Sequence, residues 1–208
     1  MIEKLKLAIS TLYRITKNFI LLRFRKNLKL NLGAGGTRIK EYINVDSLFI
    51  RETDLLCSLN HLPCFIKNGN VTTIYASHIF EHFTEKELNK ILKICFDLLQ
   101  NNGILRISVP DIDKIVKIYN NNWEHFQTKG NAPWNGLIYG GQSSRFDFHK
   151  TGFNFNWLSF LLEQIGFKDI EEYDAKKFTE QNNFQDSSLA NAPFNEPISL
   201  NIIAKKII

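Results

Sequence analysis

The chain has 208 residues, 44% hydrophobic and 23% charged, with a net charge of +5 and three cysteines. That length fits a single domain with a buried sheet, and the balance excludes a disordered, fibrous or collagenous chain. Residues 1–29 hold eight Lys or Arg against Glu3, so the base excess is local; the near-neutral remainder predicts no nucleic-acid partner, because phosphate neutralisation requires cations around the cleft.

The first segment is read as a basic amphipathic helix over residues 1–27, with Ala8, Leu12, Ile15, Phe19 and Leu22 at three- and four-residue steps along one face. It is expected either to pack on the sheet as a lead-in helix or to contact an anionic membrane surface or a protein partner. Its longest uncharged stretch, residues 7–13, is far below the ~20 apolar residues of a spanning helix. Lys and Arg interrupt it too often for a signal peptide. Cys57, Cys64 and Cys95 share no CxxC spacing and have no clustered His partners, which argues for a reducing, cytoplasmic setting and no zinc site.

Residues 28–208 read as one domain. Leu28-Lys29-Leu30-Asn31-Leu32 alternates and runs into Gly33-Ala34-Gly35-Gly36, a strand followed by a glycine turn. Residues 42–45 and 71–76 predict further strands, the first ending at Asp46 and the second at Ser77 and His78. Residues 85–100 carry a helical repeat opened by Thr84 as N-cap with Glu87 three residues later. Asn101-Asn102-Gly103 predicts a turn into a strand at 104–109, ended by Pro110 and Asp111. Helices are expected near 113–121 and at 156–165, the latter closed by Gly166. The strands at 168–173 and 198–207 form an antiparallel pair, and the polar connection at 178–197 between them is a candidate lid. This alternation predicts a mostly parallel α/β sheet whose ligand lies beyond the carboxyl ends of its strands.

Glycines directly after a strand let backbone approach a ligand closely. Asp46 follows Gly36 by ten residues, whereas a dinucleotide unit places its ribose carboxylate about 20 residues on, after a full crossover helix. The short spacing disfavours a dinucleotide but suits an adenosine ligand. Two carboxylates two residues apart, Asp111 and Asp113, read as helix N-terminal caps, and no metal site is expected.

Asn31-Leu32-Gly33-Ala34-Gly35, Ile43-Asn44-Val45-Asp46, Asp54-Leu55, Ser77-His78-Ile79-Phe80-Glu81-His82-Phe83 and Gly103 through Asp111 resemble, in order and spacing, the class I S-adenosylmethionine-dependent methyltransferases. Type 11-like members are the nearest in pattern, in a compact subgroup linked to surface-polysaccharide synthesis. His149-Lys150-Thr151-Gly152-Phe153 extends the likeness toward the carboxyl terminus. The resemblance implies a Rossmann-like three-layer sandwich around a mostly parallel seven-stranded sheet with an antiparallel last strand. It implies S-adenosylmethionine as cofactor, with Asn31, Gly33, Ala34 and Gly35 near its methionine part, Asp46 on the ribose and Asp54-Leu55 near the adenine. Ser77 and His78 would line the site beneath the sulfonium, and His82 is a further cofactor-binding candidate.

The acceptor is expected to be a small molecule, such as the hydroxyl of a sugar or nucleotide-linked polysaccharide precursor. His149 is favoured as its general base, with His78 and Asp111 as alternates. Trp123, Trp134, Tyr139, Phe146 and Phe148 form either an acceptor wall or a loop anchor. Two rival readings stand beside this one: a lipid or quinone methyltransferase at the membrane, and a non-catalytic cofactor-binding partner in a glycan-building assembly.

Overall fold

The computed structural model describes residues 2–128, 133–191 and 195–208. Its seven strands are β1 (Leu28–Leu32), β2 (Ile43–Asp46), β3 (Leu55–Leu56), β4 (Val71–Ser77), β5 (Leu99–Pro110), β6 (Phe167–Glu172) and β7 (Ser199–Lys206). They form one sheet in the order β3-β2-β1-β4-β5-β7-β6. β1 to β5 pair in parallel, while β7 lies antiparallel between β5 and β6. This is the expected Rossmann-like α/β architecture, including the antiparallel closing strands.

The eight described helices are α1 (Ile2–Leu21), α2 (Leu62–Phe65), α3 (Glu85–Leu98), α4 (Ile112–Asn121), α5 (Trp123–Thr128), α6 (Pro133–Tyr139), α7 (Phe155–Ile165) and α8 (Ala175–Gln181). The two faces of the sheet are unequal. On one, Leu30, Leu32, Ile74, Leu105 and Ile107 are fully buried with Leu88, Ile91 and Leu92 of α3 and Leu158 and Leu162 of α7 in one cluster. Each such side chain contributes roughly 1.5–3 kcal/mol of hydrophobic stabilisation. The other face carries two small clusters, Ile39, Tyr42, Tyr75 and Phe178 in one and Ile115, Ile118 and Ile198 in the other. The cause is the short first crossover, where residues 33–42 contain no helix to cover that face.

The caps follow the local sequence. Thr84 Oγ1 accepts from the Glu87 N–H while Glu87 accepts from the Thr84 N–H, a complete capping box opening α3. Asn154 caps α7 through the Trp157 N–H, and Gly166 ends it at φ +115°. Asp111 caps α4 by accepting from the N–H groups of Asp113 and Lys114, as its spacing predicts.

Three features depart from the expectation. Asn101-Asn102-Gly103 is a bulge inside β5: Val71 pairs with Leu99 and Thr73 with Ile104, and the extra residues arch out with Asn102 at φ +60°. The connection before β7 begins with α8, capped by Asp174 on the Lys177 N–H, rather than as continuous loop. In α1 the inward face is Thr11, Ile15 and, beyond its end, Leu22, while Leu12 is exposed; the side chains of Ala8 and Phe19 lie outside the described residues. Asn18 Nδ2 donates to the Asp54 carbonyl at 3.1 Å, fastening α1 beside the edge strand β3.

Candidate functional site

The carboxyl ends of β1, β2 and β4 converge on one crevice. Beyond Leu32 the chain turns through Gly33 at φ +62° and Gly35 at φ +51°, the left-handed region where a Cβ is penalised. A Cβ on Gly33 would also collide with the Ile79 side chain. The turn is fixed to β2 at two points: the Ala34 N–H donates to the Val45 carbonyl at 3.0 Å, and the Gly35 N–H to Asp46 Oδ2 at 2.9 Å. Asp46 Oδ1 accepts from the Leu48 N–H at 2.8 Å. The buried carboxylate is thus oriented by backbone on both oxygens, each keeping a further lone pair.

Behind the turn lies a buried polar network. Asn44 Oδ1 accepts from Asn31 Nδ2 and the Ile39 N–H, each at 3.0 Å, and Asn44 Nδ2 donates to Asp54 Oδ2 at 2.8 Å. Asn31 Nδ2 also reaches the Thr37 carbonyl at 3.2 Å. Asp54 is completed by the Asn44 N–H and by Arg38 at 3.0 Å. Asp54 and Leu55, expected near an adenine, are therefore turned inward: one is committed to this network and the other is fully buried in the core. The apolar side chains exposed beside Asp46 are Leu48 and Phe49.

At the end of β4 the chain reverses through His78, a non-glycine residue at φ +50°. Such strain concentrates where the surroundings require a side chain in one place. His78 Nε2 lies 2.9 Å from Ser199 Oγ and its Nδ1 3.3 Å from Glu81 Oε1. Glu81 is 1% exposed, and neither of its carboxylate oxygens has a hydrogen-bond partner among the described residues. His82 Nδ1 sits 3.2 Å from the Phe148 carbonyl, and the His82 and His149 rings meet edge to face at 5.1 Å between centroids. Burial holds the His149 imidazole below the ordinary histidine range, opposed by the Glu81 carboxylate, so the neutral ring is favoured.

A cavity of about 200 Å³ is lined by Asn31, the turn from Gly33 to Thr37, Ser77 and His78, and is closed by Asp186 and Ser187 from the connection before β7. Tyr75 Oη donates to Asp186 Oδ2 at 2.7 Å, and Ser199 Oγ donates to the Ser187 carbonyl at 2.9 Å. The candidate lid thus lies against the crevice. On the other side of Ser199 opens a second cavity of about 770 Å³, with Lys176, Asn183, Gln185, Asn191 and Asn201 among its lining residues.

Of the residues read from sequence, Asn31, Gly33, Ala34, Gly35, Ser77 and His78 line the crevice, and Asp46 braces its turn. His82 and His149 meet at Glu81 instead, and Asp111 is committed to its cap and to Lys114 at 3.3 Å. Trp123, Tyr139, Phe146 and Phe148 are exposed, and the Trp134 side chain lies outside the described residues. Sequence reasoning missed Asn44, Asp186 and Ser199. Only Asn44 carried a signal, as a polar residue between apolar neighbours in a short strand.

No family model matches the chain, and no curated protein matches its sequence. Solved structures do share its fold. A SAM-dependent methyltransferase from Archaeoglobus fulgidus is similar with a TM-score of 0.55 and 17% identity, over 97% of this chain and 94% of that one. The 1,6-didemethyltoxoflavin-N1-methyltransferase of Burkholderia thailandensis, solved with its substrate and S-adenosylhomocysteine, gives 0.51 and 15% over 94% and 79%. A SAM-dependent methyltransferase of Thermotoga maritima, titled a possible histamine N-methyltransferase, gives 0.50 and 14% over 96% and 89%.

Proposed function

We propose that this chain is an S-adenosylmethionine-dependent methyltransferase acting on a hydroxyl of a small acceptor, of the kind found in sugars and nucleotide-linked polysaccharide precursors. The observation that carries the reading is the joined pair at the ends of β1 and β2, a turn with two left-handed glycines locked by its Gly35 N–H to the Asp46 carboxylate. Backbone can approach the donor's methionine part there, while the free lone pairs of Asp46 accept the two ribose hydroxyls. Leu48 and Phe49 offer the adenine an apolar surface. The fold's solved relatives include one holding S-adenosylhomocysteine.

The crevice of about 200 Å³ is below the roughly 300–1,000 Å³ usual for sites of drug-sized ligands. Asp186 and Ser187 therefore withdraw as the donor enters and close again over it. When bound, the donor supplies a methyl group already activated on a sulfonium. The chain's own task is to hold the acceptor in line and exclude water. The amide-rich cavity of about 770 Å³ next to Ser199 suits a hydroxylated acceptor, and His78, hydrogen-bonded to Ser199 on its wall, is placed to receive the acceptor's proton.

Calorimetry with S-adenosylmethionine and S-adenosylhomocysteine tests the donor site, and radiolabelled methyl transfer to a panel of sugars and sugar nucleotides tests the acceptor. Saturable binding of both nucleosides is expected. Absence of heat with either defeats the proposal. A second reading, a lipid or quinone acceptor at a membrane, is favoured by the exposed Ile9, Leu12, Tyr13, Ile20 and Phe24 of the basic amino-terminal segment. Among the described residues no helix is long and apolar enough to cross a membrane. Cosedimentation with anionic vesicles supports that reading, and its absence removes it.

A further inference from the structure

Glu81, His82 and His149 each direct one potential ligand atom into a common space, the three atoms lying within 4.8 Å of one another. Glu81 is the anomaly. A carboxylate 1% exposed and without a hydrogen-bond partner is costly unless a cation faces it, and among the described residues only His78 Nδ1, 3.3 Å from Oε1, lies within ion-pair distance. Lys150 does not reach it: its Nζ lies 4.0 Å from Glu87, and only its backbone N–H touches this turn, at the Glu81 carbonyl.

The imidazoles around Glu81 are oriented in a shared way. His82 Nδ1 faces the Phe148 carbonyl at 3.2 Å, and a carbonyl only accepts, so Nδ1 carries the proton and Nε2 the lone pair. Ser199 Oγ donates to the Ser187 carbonyl and so accepts from His78 Nε2–H. The other ring nitrogen of His78, Nδ1, lies 3.3 Å from Glu81 Oε1. Two of the rings, His78 and His82, thus commit one nitrogen outward to a protein oxygen and keep the other free beside one buried carboxylate. Metal-binding histidines are held in this manner, the outward hydrogen bond fixing tautomer and ring angle.

We propose that Glu81, His82 and His149 bind one divalent transition-metal ion. Imidazole with a single carboxylate selects Zn²⁺, Co²⁺ or Mn²⁺ over Mg²⁺ or Ca²⁺, which favour all-oxygen sites. Metal–ligand bonds of about 2.0–2.2 Å place neighbouring ligand atoms roughly 3.4 Å apart, so modest side-chain rotations from the present spacing complete the site. The ion's role rests on the methyl-transfer reading. Through His78 the cluster adjoins the crevice, and a coordination position left to the acceptor would bind its hydroxyl and ease loss of that proton to His78. The oxygen then forms its bond to the methyl carbon as the carbon–sulfur pair returns to sulfur.

Metal binding is tested on the full chain, stripped with chelator and dialysed, by titration with Co²⁺ followed by its visible absorption and with Zn²⁺ by competition. One equivalent of Co²⁺ with the intensified bands of a low-symmetry N/O site is expected. Glu81→Gln and His149→Gln should weaken binding at least tenfold, whereas His149→Asp, which retains a ligand atom, should recover part of it. No saturable cobalt signal in the wild-type chain overturns the proposal, as does unchanged affinity in Glu81→Gln. S-adenosylhomocysteine calorimetry on the same samples separates the two ideas. Nucleoside binding without metal leaves methyl transfer standing and removes the metal site, and metal binding without nucleoside does the reverse.

Discussion

Replacing Asp46 probes the donor site most directly, because its carboxylate has two separable duties. In the folded chain it accepts the Gly35 N–H at 2.9 Å and the Leu48 N–H at 2.8 Å. Hydrogen bonds to a charged acceptor contribute about 1.5–3 kcal/mol each. Asp46→Ala removes both and orphans two N–H groups near the crevice, so a stability loss of about 3–6 kcal/mol is expected from urea unfolding. On the proposed reading, the ribose hydroxyls add two bonds of the same class. Losing about 3 kcal/mol there corresponds to roughly a 100-fold rise in Kd for S-adenosylhomocysteine. Asp46→Asn keeps one acceptor oxygen and the side-chain volume, so it should retain more stability while still weakening binding by about tenfold or more. Calorimetry at 25 °C on variants whose circular dichroism matches the wild type gives the answer. An Asp46→Asn protein that is folded and binds within about threefold of the wild type would refute the reasoning, because the carboxylate would then serve only the turn.

Gly33→Ala should lower stability by at least about 1–2 kcal/mol, the cost of a left-handed residue, with the Ile79 collision added; an unchanged urea midpoint would contradict this. Thr84→Ala breaks the capping box of α3 and should cost about 0.5–2 kcal/mol in the same assay. Tyr75→Phe removes the hydroxyl that donates to Asp186, and faster amide hydrogen exchange over residues 184–189 is expected with little change in β4. Burial pushes the thiols of Cys57 and Cys95 up to about 12 from an ordinary 9.0. The folded state then binds these protons more tightly than the unfolded state, so their contribution is complete below about pH 9 and declines as pH rises toward 12. Urea unfolding of Cys95→Ala should accordingly be less sensitive between pH 8 and 10 than that of the wild type.

The parts of the fold legible in the sequence were those whose causes are local. The capping box at Thr84 and the Gly166 stop depend on residues within one turn of each other, and each appears where the spacing puts it. The glycine turn was readable because a positive φ excludes most residues. What escaped were features decided across the sheet. The bulge at Asn101-Asn102-Gly103 looks like a turn until β4 supplies the register that runs through it. Leu12 belongs to the helical repeat but faces out, because α1 meets the edge of β3 through Thr11, Ile15 and Asn18. The resemblance puts Asp54 near the adenine, yet the backbone and side-chain N–H groups of Asn44 claim it first.

The segment from Ser77 to His82 carries the remaining argument. Ser77 and His78 face the glycine turn, whereas Glu81 and His82 face His149, so six consecutive residues serve two adjoining spaces. That is possible because His78 leaves the strand at φ +50° and starts a tight 3-10 turn at Phe80–His82. A β-strand would have sent alternate side chains to opposite faces of the sheet and separated Glu81 from His82. The same reversal puts Ile79 where Gly33 must lack a side chain. The glycine that opens the crevice and the strained histidine that turns toward the Glu81 cluster are therefore mutual requirements. His78→Gly, which relieves the strain but removes the imidazole, should preserve the fold while loosening the link between Ser199 and Glu81. Faster amide exchange confined to residues 185–189 and 199–201 is the result expected, and global unfolding would show instead that the imidazole is needed to hold the sheet end together.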